Sequence, residues 1–272
     1  MRLVALALLA VLLVPGCTCA SDSVNRGDLN LVSLDDEWAL GRDLAAQVNA
    51  QTRPVPDPAV QAYVDEMGEA IADQTELADR EWTFTVIDDP AVNAFALPGG
   101  HVYVNAGLVA AAEDADELAG VVGHEVAHGV ARHSTERMVK AQGANWVAGL
   151  VLGDNPGLLR QIVAGLVGRG ALARFSRTDE AEADALGLRY MAAAGYDPDG
   201  MADMFRTLVE LRERRPLLFE RWFQSHPLGE DRIEAAERAA RSIPTAPGRR
   251  PDPEAFRDVQ RRVRPYVAPV VR

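Results

Sequence analysis

The chain has 272 residues, of which 48% are hydrophobic and 25% charged, and its formal net charge is −12. Such a composition supports one sizeable core, and the acidic balance argues against a nucleic-acid partner, because phosphate binding needs clustered Lys and Arg. The two cysteines, Cys17 and Cys19, are too close in sequence to close a disulfide easily, so the body of the chain offers neither a disulfide nor a thiolate.

Met1 and Arg2 are followed by an unbroken apolar run from Leu3 to Val14. That is the pattern of an export signal, and it is too short to span a bilayer as a mature helix. Gly16 directly precedes Cys17, which resembles a bacterial lipobox, where the cysteine becomes the lipid-modified first residue. The expectation is a signal peptide with lipobox over 1–16 and a tether over 17–34, polar and without hydrophobic period from Asp22 to Asn30. It places the chain in the bacterial periplasm, anchored to the outer membrane through a lipid on Cys17; the alternative is a plain secretory signal cleaved near Ala20.

Asp35 to Ala50 carries Trp38, Leu40, Leu44, Ala45 and Val48 at helical spacing, with Asp35 as a plausible cap. Pro54, Pro56 and Pro58 interrupt the chain, and a second helix starts near Asp57 with Val60, Val64, Met67 and Ile71 on one stripe. Trp82 to Ile87 alternates as a strand does, Val92 to Leu97 reads as a second strand, and Val102 to Val104 as a third. Pro98-Gly99-Gly100 separates the last two with a strong turn signal. These pieces predict a small antiparallel sheet. From Asn105 onward the pattern is helical, with the longest helix running from about Asp114 to His133. The segment 143–168 is apolar and dotted with glycine; it reads as paired core or lid helices, or as a mobile flap facing substrate or membrane. The fold class is therefore α+β and mostly helical.

Gly123-His124-Glu125-Val126-Ala127-His128 contains the spacing H-E-x-x-H inside that long helix. Residues four apart differ by about 40° in azimuth, so both imidazoles project from one face and suit a single Zn²⁺. Glu125, one residue after the first ligand, can reach a water on the metal and take its proton. Two protein ligands are too few for a catalytic zinc, which usually takes three. Glu180, in the helical segment Ser176 to Asp184, is the candidate third ligand. Asp184, one turn on, can accept the free N–H of a ligand histidine and fix its tautomer. Glu182 lies about 200° round that helix from Glu180 and is expected to face solvent. His101 and His133 read as non-ligands, His133 as a cation at the C-terminal end of its helix.

Four segments together resemble the zinc metallopeptidase family that includes the CAAX prenyl protease, HtpX and the periplasmic barrel-assembly-enhancing protease. They are Asn93 to Gly100, His124 to His128, Ser176 to Asp184, and Ser225-His226-Pro227, in the family's order. The resemblance implies a zincin fold of the gluzincin type, with the sheet above the active-site helix, and supports Glu180 as ligand and Asp184 as its neighbour. It implies that Asn93 and Ala94 lie on an open strand edge where an extended substrate adds as a further strand. It also puts His226 beside the metal, either donating a hydrogen bond to the oxyanion or capping the open zinc position. Arg232 is a weaker candidate for oxyanion support.

The domain expectation is a metallopeptidase domain over 35–242 and a Pro- and Arg-rich extension over 243–272 that packs on it, with Glu254 to Val263 helical. The functional expectation is a metalloendopeptidase, one Zn²⁺ per chain, acting on unfolded or misassembled envelope proteins. The alternative is a latent, chaperone-like binding protein with His226 capping the zinc.

Overall fold

The computed structural model describes residues 32–142, 174–214, 216–244 and 251–267, with isolated positions at 149, 157, 162–164 and 246. The expected signal segment, Cys17, the expected tether up to residue 31 and nearly all of the apolar segment 143–168 lie outside the described residues.

Helix α1 (Leu34–Gln51) starts at Ser33, whose hydroxyl accepts the Asp36 N–H, so the cap is one turn-entry earlier than Asp35. Helix α2 (Pro58–Ala72) is capped by Asp57 and buries the stripe Val60, Val64, Met67 and Ile71. Strands β1 (Thr83–Ile87), β2 (Ala94–Leu97) and β3 (His101–Asn105) follow.

The sheet is mixed rather than antiparallel. Its order is β1-β3-β2, with β2 antiparallel to β3 and β1 parallel to it. The Pro98–Gly100 turn makes β2 and β3 a hairpin, but the connector after β1 passes over the end of β3 before β2 begins. Its course is marked by two bonds, Gly107 N–H to Asp89 O and Asn105 N–H to Asn93 O. The crossing requires a residue without a side chain at 107, where a Cβ would lie 2.2 Å from Pro90 O. β3 is thereby left in the middle, a topology the strand pattern alone does not specify.

Helices α3 (Ala106–Ala111), α4 (Ala115–Val130) and α5 (His133–Gln142) come next. They are followed by α6 (Arg177–Ala193), α7 (Asp199–Arg214), α8 (Pro216–Ser225), α9 (Glu230–Ala240) and α10 (Pro253–Val267). α4 is the spine of the molecule. Asp114 caps it by accepting Glu117 N–H, and every residue of the helix except Asp116 is buried. It packs against β2 on one side and α6 and α7 on the other. The α4–α6 contact is close because Gly123 faces Gly187, where a Cβ would come within 2.9 Å of the α4 backbone. α10 buries Phe256, Val259, Val263 and Val267 and folds back on α2 and α3. Among the described residues no helix is long and apolar enough to cross a membrane.

The long helix ends earlier than its pattern implies. After Val130 the chain turns at Arg132, which has φ of 60°, and a new helix starts at His133. A left-handed residue with a long side chain is uncommon and needs compensation. Here the Arg132 guanidinium supplies it, donating to Glu37 Oε2 and to Val32 O, both at 2.6 Å. Burial pushes the Glu37 carboxyl up, against the pull of the Arg132 charge.

Candidate metal centre

Four buried side chains converge at the middle of α4: His124, His128, Glu180 and His226, with one ligand atom of each within 4.8 Å of every other. His124 and His128 share a helix face, as their spacing requires, and their Nε2 atoms are 3.0 Å apart. The close α4–α6 packing brings Glu180 to them, Oε1 at 3.4 Å from His128 Nε2 and Oε2 at 3.7 Å from His124 Nε2. His226, just beyond α8, places Nδ1 3.0 Å from Glu180 Oε1 and 3.2 Å from His124 Nε2.

The donor set fits a small divalent cation. Ligand atoms about 2.0–2.1 Å from a tetrahedral Zn²⁺ are separated from one another by about 3.3 Å. The contacts named above run from 3.0 to 3.7 Å, and all four ligand atoms lie within 4.8 Å of one another. Two imidazoles with a carboxylate are also a donor set that catalytic zinc uses. Glu125 adds a second sign. Its Oε1 is buried and has no hydrogen-bond partner among the described residues, 3.4 Å from His226 Nε2.

The electrostatics favour the ligand forms. Burial, reinforced by the neighbouring His124, drives the His128 pKa well below the usual imidazole value, so that ring is neutral. Burial opposes ionisation of Glu180, but the neighbouring histidines, the charge of His226 foremost, outweigh it, and the carboxyl is held far below the ordinary range. For His226, burial is overcome by the Glu180 and Glu125 carboxylates, and its pKa is raised.

The candidate ligands are held from behind. His124 Nδ1 lies 2.9 Å from Asp184 Oδ1. Asp184 accepts two hydrogen bonds from Arg232, Nη2 at 2.7 Å and Nε at 2.8 Å, and Arg232 also donates to Glu180 and to Pro227 O. The guanidinium thus makes four hydrogen bonds on this side of the site, to Asp184, Glu180 and Pro227 O. Burial opposes ionisation of Asp184, but its contacts with His124 and Arg232 prevail and keep its pKa low.

Several neighbours have no counterpart among the candidate residues read from the sequence. His133 does not sit at the end of α4 as a solvated cation. It is buried, opens α5, and its Nδ1 is 2.8 Å from His128 Nδ1. Glu182 points away from Glu180 as its azimuth requires and is partly exposed, with its Oε2 3.5 Å from His133 Nε2. Phe175 stacks on the His128 ring at 4.0 Å, and Trp222 stacks on His226 at 4.4 Å. The Trp222–His226 spacing of one helical turn is a signal that could have paired them. His101 opens β3 and pairs with Thr83 Oγ1 at 2.7 Å, outside the cluster.

At the sheet edge the register divides Asn93 from Ala94. Asn93 O accepts from Asn105 N–H, so its main chain faces β3. The next residue pairs with Val104 at a non-hydrogen-bonded position, so the main chain of Ala94 faces the other way, toward the side of β2 with no strand among the described residues.

Comparison with known proteins agrees with this geometry. The model of peptidase family M48 matches residues 58–240. The chain is 33% identical over 218 residues to the mitochondrial metalloendopeptidase OMA1 of Schizosaccharomyces pombe, covering 78% of this chain and 64% of that one. It is 28% identical over 244 residues to a putative beta-barrel assembly-enhancing protease of Vibrio cholerae, covering 82% of this chain and 49% of the relative. The beta-barrel assembly-enhancing protease of Escherichia coli is 24% identical over 224 residues, covering 78% and 45%. The chain therefore spans between about half and two thirds of the length of these curated relatives.

Proposed function

The chain belongs to peptidase family M48, and from that premise we propose that it is a zinc-dependent metalloendopeptidase acting on unfolded or misassembled cell-envelope proteins. The observation that carries the proposal is the buried convergence of His124, His128 and Glu180, with Glu125 beside them holding a carboxylate oxygen that no hydrogen bond occupies. A zinc ion held by the first three would acidify water and polarise the scissile carbonyl. Glu125 then takes the proton of the attacking water and passes it to the leaving amine. Asp184 keeps the His124 tautomer in which Nε2 has its lone pair free, and Arg232 fixes both Asp184 and Glu180. An extended substrate would add along β2, taking its main-chain hydrogen bonds from Ala94 rather than Asn93.

The substrate class and the location have separate grounds. The names of two relatives speak of barrel assembly, and the apolar run before Cys17 has the form of an export signal. A chain exported to the periplasm and anchored by a lipid on Cys17 would meet misassembled envelope proteins there.

A second reading has its own observation. His226 Nδ1 stands among the ligand atoms, 3.2 Å from His124 Nε2. In that position it serves as a fourth ligand and makes the protein latent, a binder of unfolded chains that cuts only when His226 is displaced.

Cleavage of unfolded casein by the zinc-loaded chain, beside its Glu125→Gln variant, tests the proposal. Loss of a general base costs about 10²–10⁴-fold in rate, so the variant should be nearly inert while binding zinc normally. Equal cutting by both would remove Glu125 from its role. If neither cuts, activity gained by His226→Ala would favour the latent form.

A further inference from the structure

We infer that His133 is a positioning residue for the metal centre, accepting the Nδ1 proton of His128 and so holding the lone pair of His128 Nε2 toward the metal. The inference rests on the reading of the four-residue cluster as a metal site. Its own support is the contact between two imidazole nitrogens, His128 Nδ1 and His133 Nδ1, at 2.8 Å in a fully buried setting.

At that distance one of the two nitrogens carries a hydrogen and the other a lone pair. If His133 were the donor, the neutral His128 ring would carry its hydrogen on Nε2. That hydrogen would then point at His124 Nε2 and Glu180, 3.0 and 3.4 Å away, and would block a metal. With His128 as donor, Nε2 is free to ligate and the hydrogen of His133 lies on its own Nε2. That atom faces the Glu182 carboxylate at 3.5 Å. Only the second arrangement both leaves His128 Nε2 open to a metal and turns the His133 Nε2–H toward the Glu182 carboxylate. His133 thus acts on His128 as Asp184 acts on His124, but as a neutral acceptor in place of a carboxylate.

The backbone is built for this contact. His133 is five residues beyond His128 and would lie on a different face of a continuous helix. The left-handed Arg132, held by Glu37 and Val32 O, breaks α4 and swings His133 back over the ring of His128. Phe175 stacks on the same ring from its face at 4.0 Å.

The test is zinc affinity, measured by chelator competition on the full chain, together with the visible spectrum of the Co²⁺-substituted protein. Three variants are compared with wild type: His133→Asn, whose side-chain carbonyl can stand near the Nδ1 position, His133→Gln, which is polar but reaches past it, and His133→Leu. The expected result is about 10–100-fold weaker zinc binding for Gln and Leu, with a changed Co²⁺ spectrum, and near wild-type behaviour for Asn. Thermal unfolding of the metal-free proteins controls for folding. Should the Leu variant not fold, the Asn–Gln pair decides alone. Unchanged affinity in all variants would overturn the role, as would an equal loss in all three, since that would mark a purely steric part. A wild type that takes up no zinc would overturn the metal-centre reading itself, and this inference with it.

Discussion

His124 and His128 come from one helix face and are the same residue type, but they are backed by opposite chemistry. Behind His124 stand a carboxylate and a guanidinium, Asp184 and Arg232, each only 10% exposed, with Arg232 bound to Glu180 as well. Behind His128 stand a neutral imidazole, His133, and then Glu182, which is 28% exposed. The first side couples the ligand to buried full charges, whose removal is costly. The second couples it to a dipole, with the nearest charge partly in water. Metal binding and fold stability should therefore be tied together on the His124 side and separable on the His128 side.

Arg232→Met gives the largest expected effect. It leaves the Glu180 and Asp184 carboxylates buried without their cation, and breaking a buried ion pair from one end costs about 3–5 kcal/mol. Urea unfolding of the metal-free protein reads this directly, and zinc should restore part of the loss by replacing the charge beside Glu180. A metal-free stability within about 1 kcal/mol of wild type would erase the difference between the two sides.

Asp184→Asn sharpens the contrast more narrowly. It keeps an acceptor for His124 Nδ1 but removes the charge, which makes the His124 side resemble the His128 side. Zinc affinity should fall about 10–100-fold. If affinity is unchanged, the charge behind His124 contributes nothing that a neutral acceptor does not, and His133 and Asp184 would be equivalent partners in different dress.

The two sides were not equally legible in the sequence, for a physical reason. The ligand pair His124–His128 and the pair Glu180–Asp184 are each one helical turn apart, so helix geometry alone aligns them. His133 depends on a left-handed Arg132, and a non-glycine residue in that region leaves no mark in a hydrophobic pattern. Glu182 is similar: the helical wheel directs it away from Glu180 correctly, but what it meets there comes from α5. The same limit applies to the sheet. Alternation located β1, β2 and β3, whereas the parallel pairing of β1 with β3 follows from a connector whose path is set by Gly107 and Pro90. The C-terminal helix was legible because Phe256, Val259 and Val263 repeat at helical spacing.

A carboxylate at the other end of α4 offers a smaller, pH-dependent version of the contrast. Glu117 is buried but has only neutral partners, the Glu113 N–H and the Thr207 hydroxyl. Burial pushes its pKa up from 4.5 to about 6, whereas Glu180, equally buried, is driven down by its cationic neighbours. With a folded-state pKa above the unfolded value, the native state binds the proton more tightly than the unfolded chain does. The ionised form therefore costs stability above about pH 6, and the cost fades as pH falls through that value toward 4.5. Glu117→Gln cannot titrate and keeps both a donor and an acceptor at the site. Relative to this variant, wild type should lose about 1–2 kcal/mol of unfolding free energy between about pH 5 and pH 7.5. A wild-type-minus-variant difference that stays flat across that range would mean that the Glu113 and Thr207 hydrogen bonds stabilise the charge as well as a cation does, and that burial with a cation is not what separates Glu180 from Glu117.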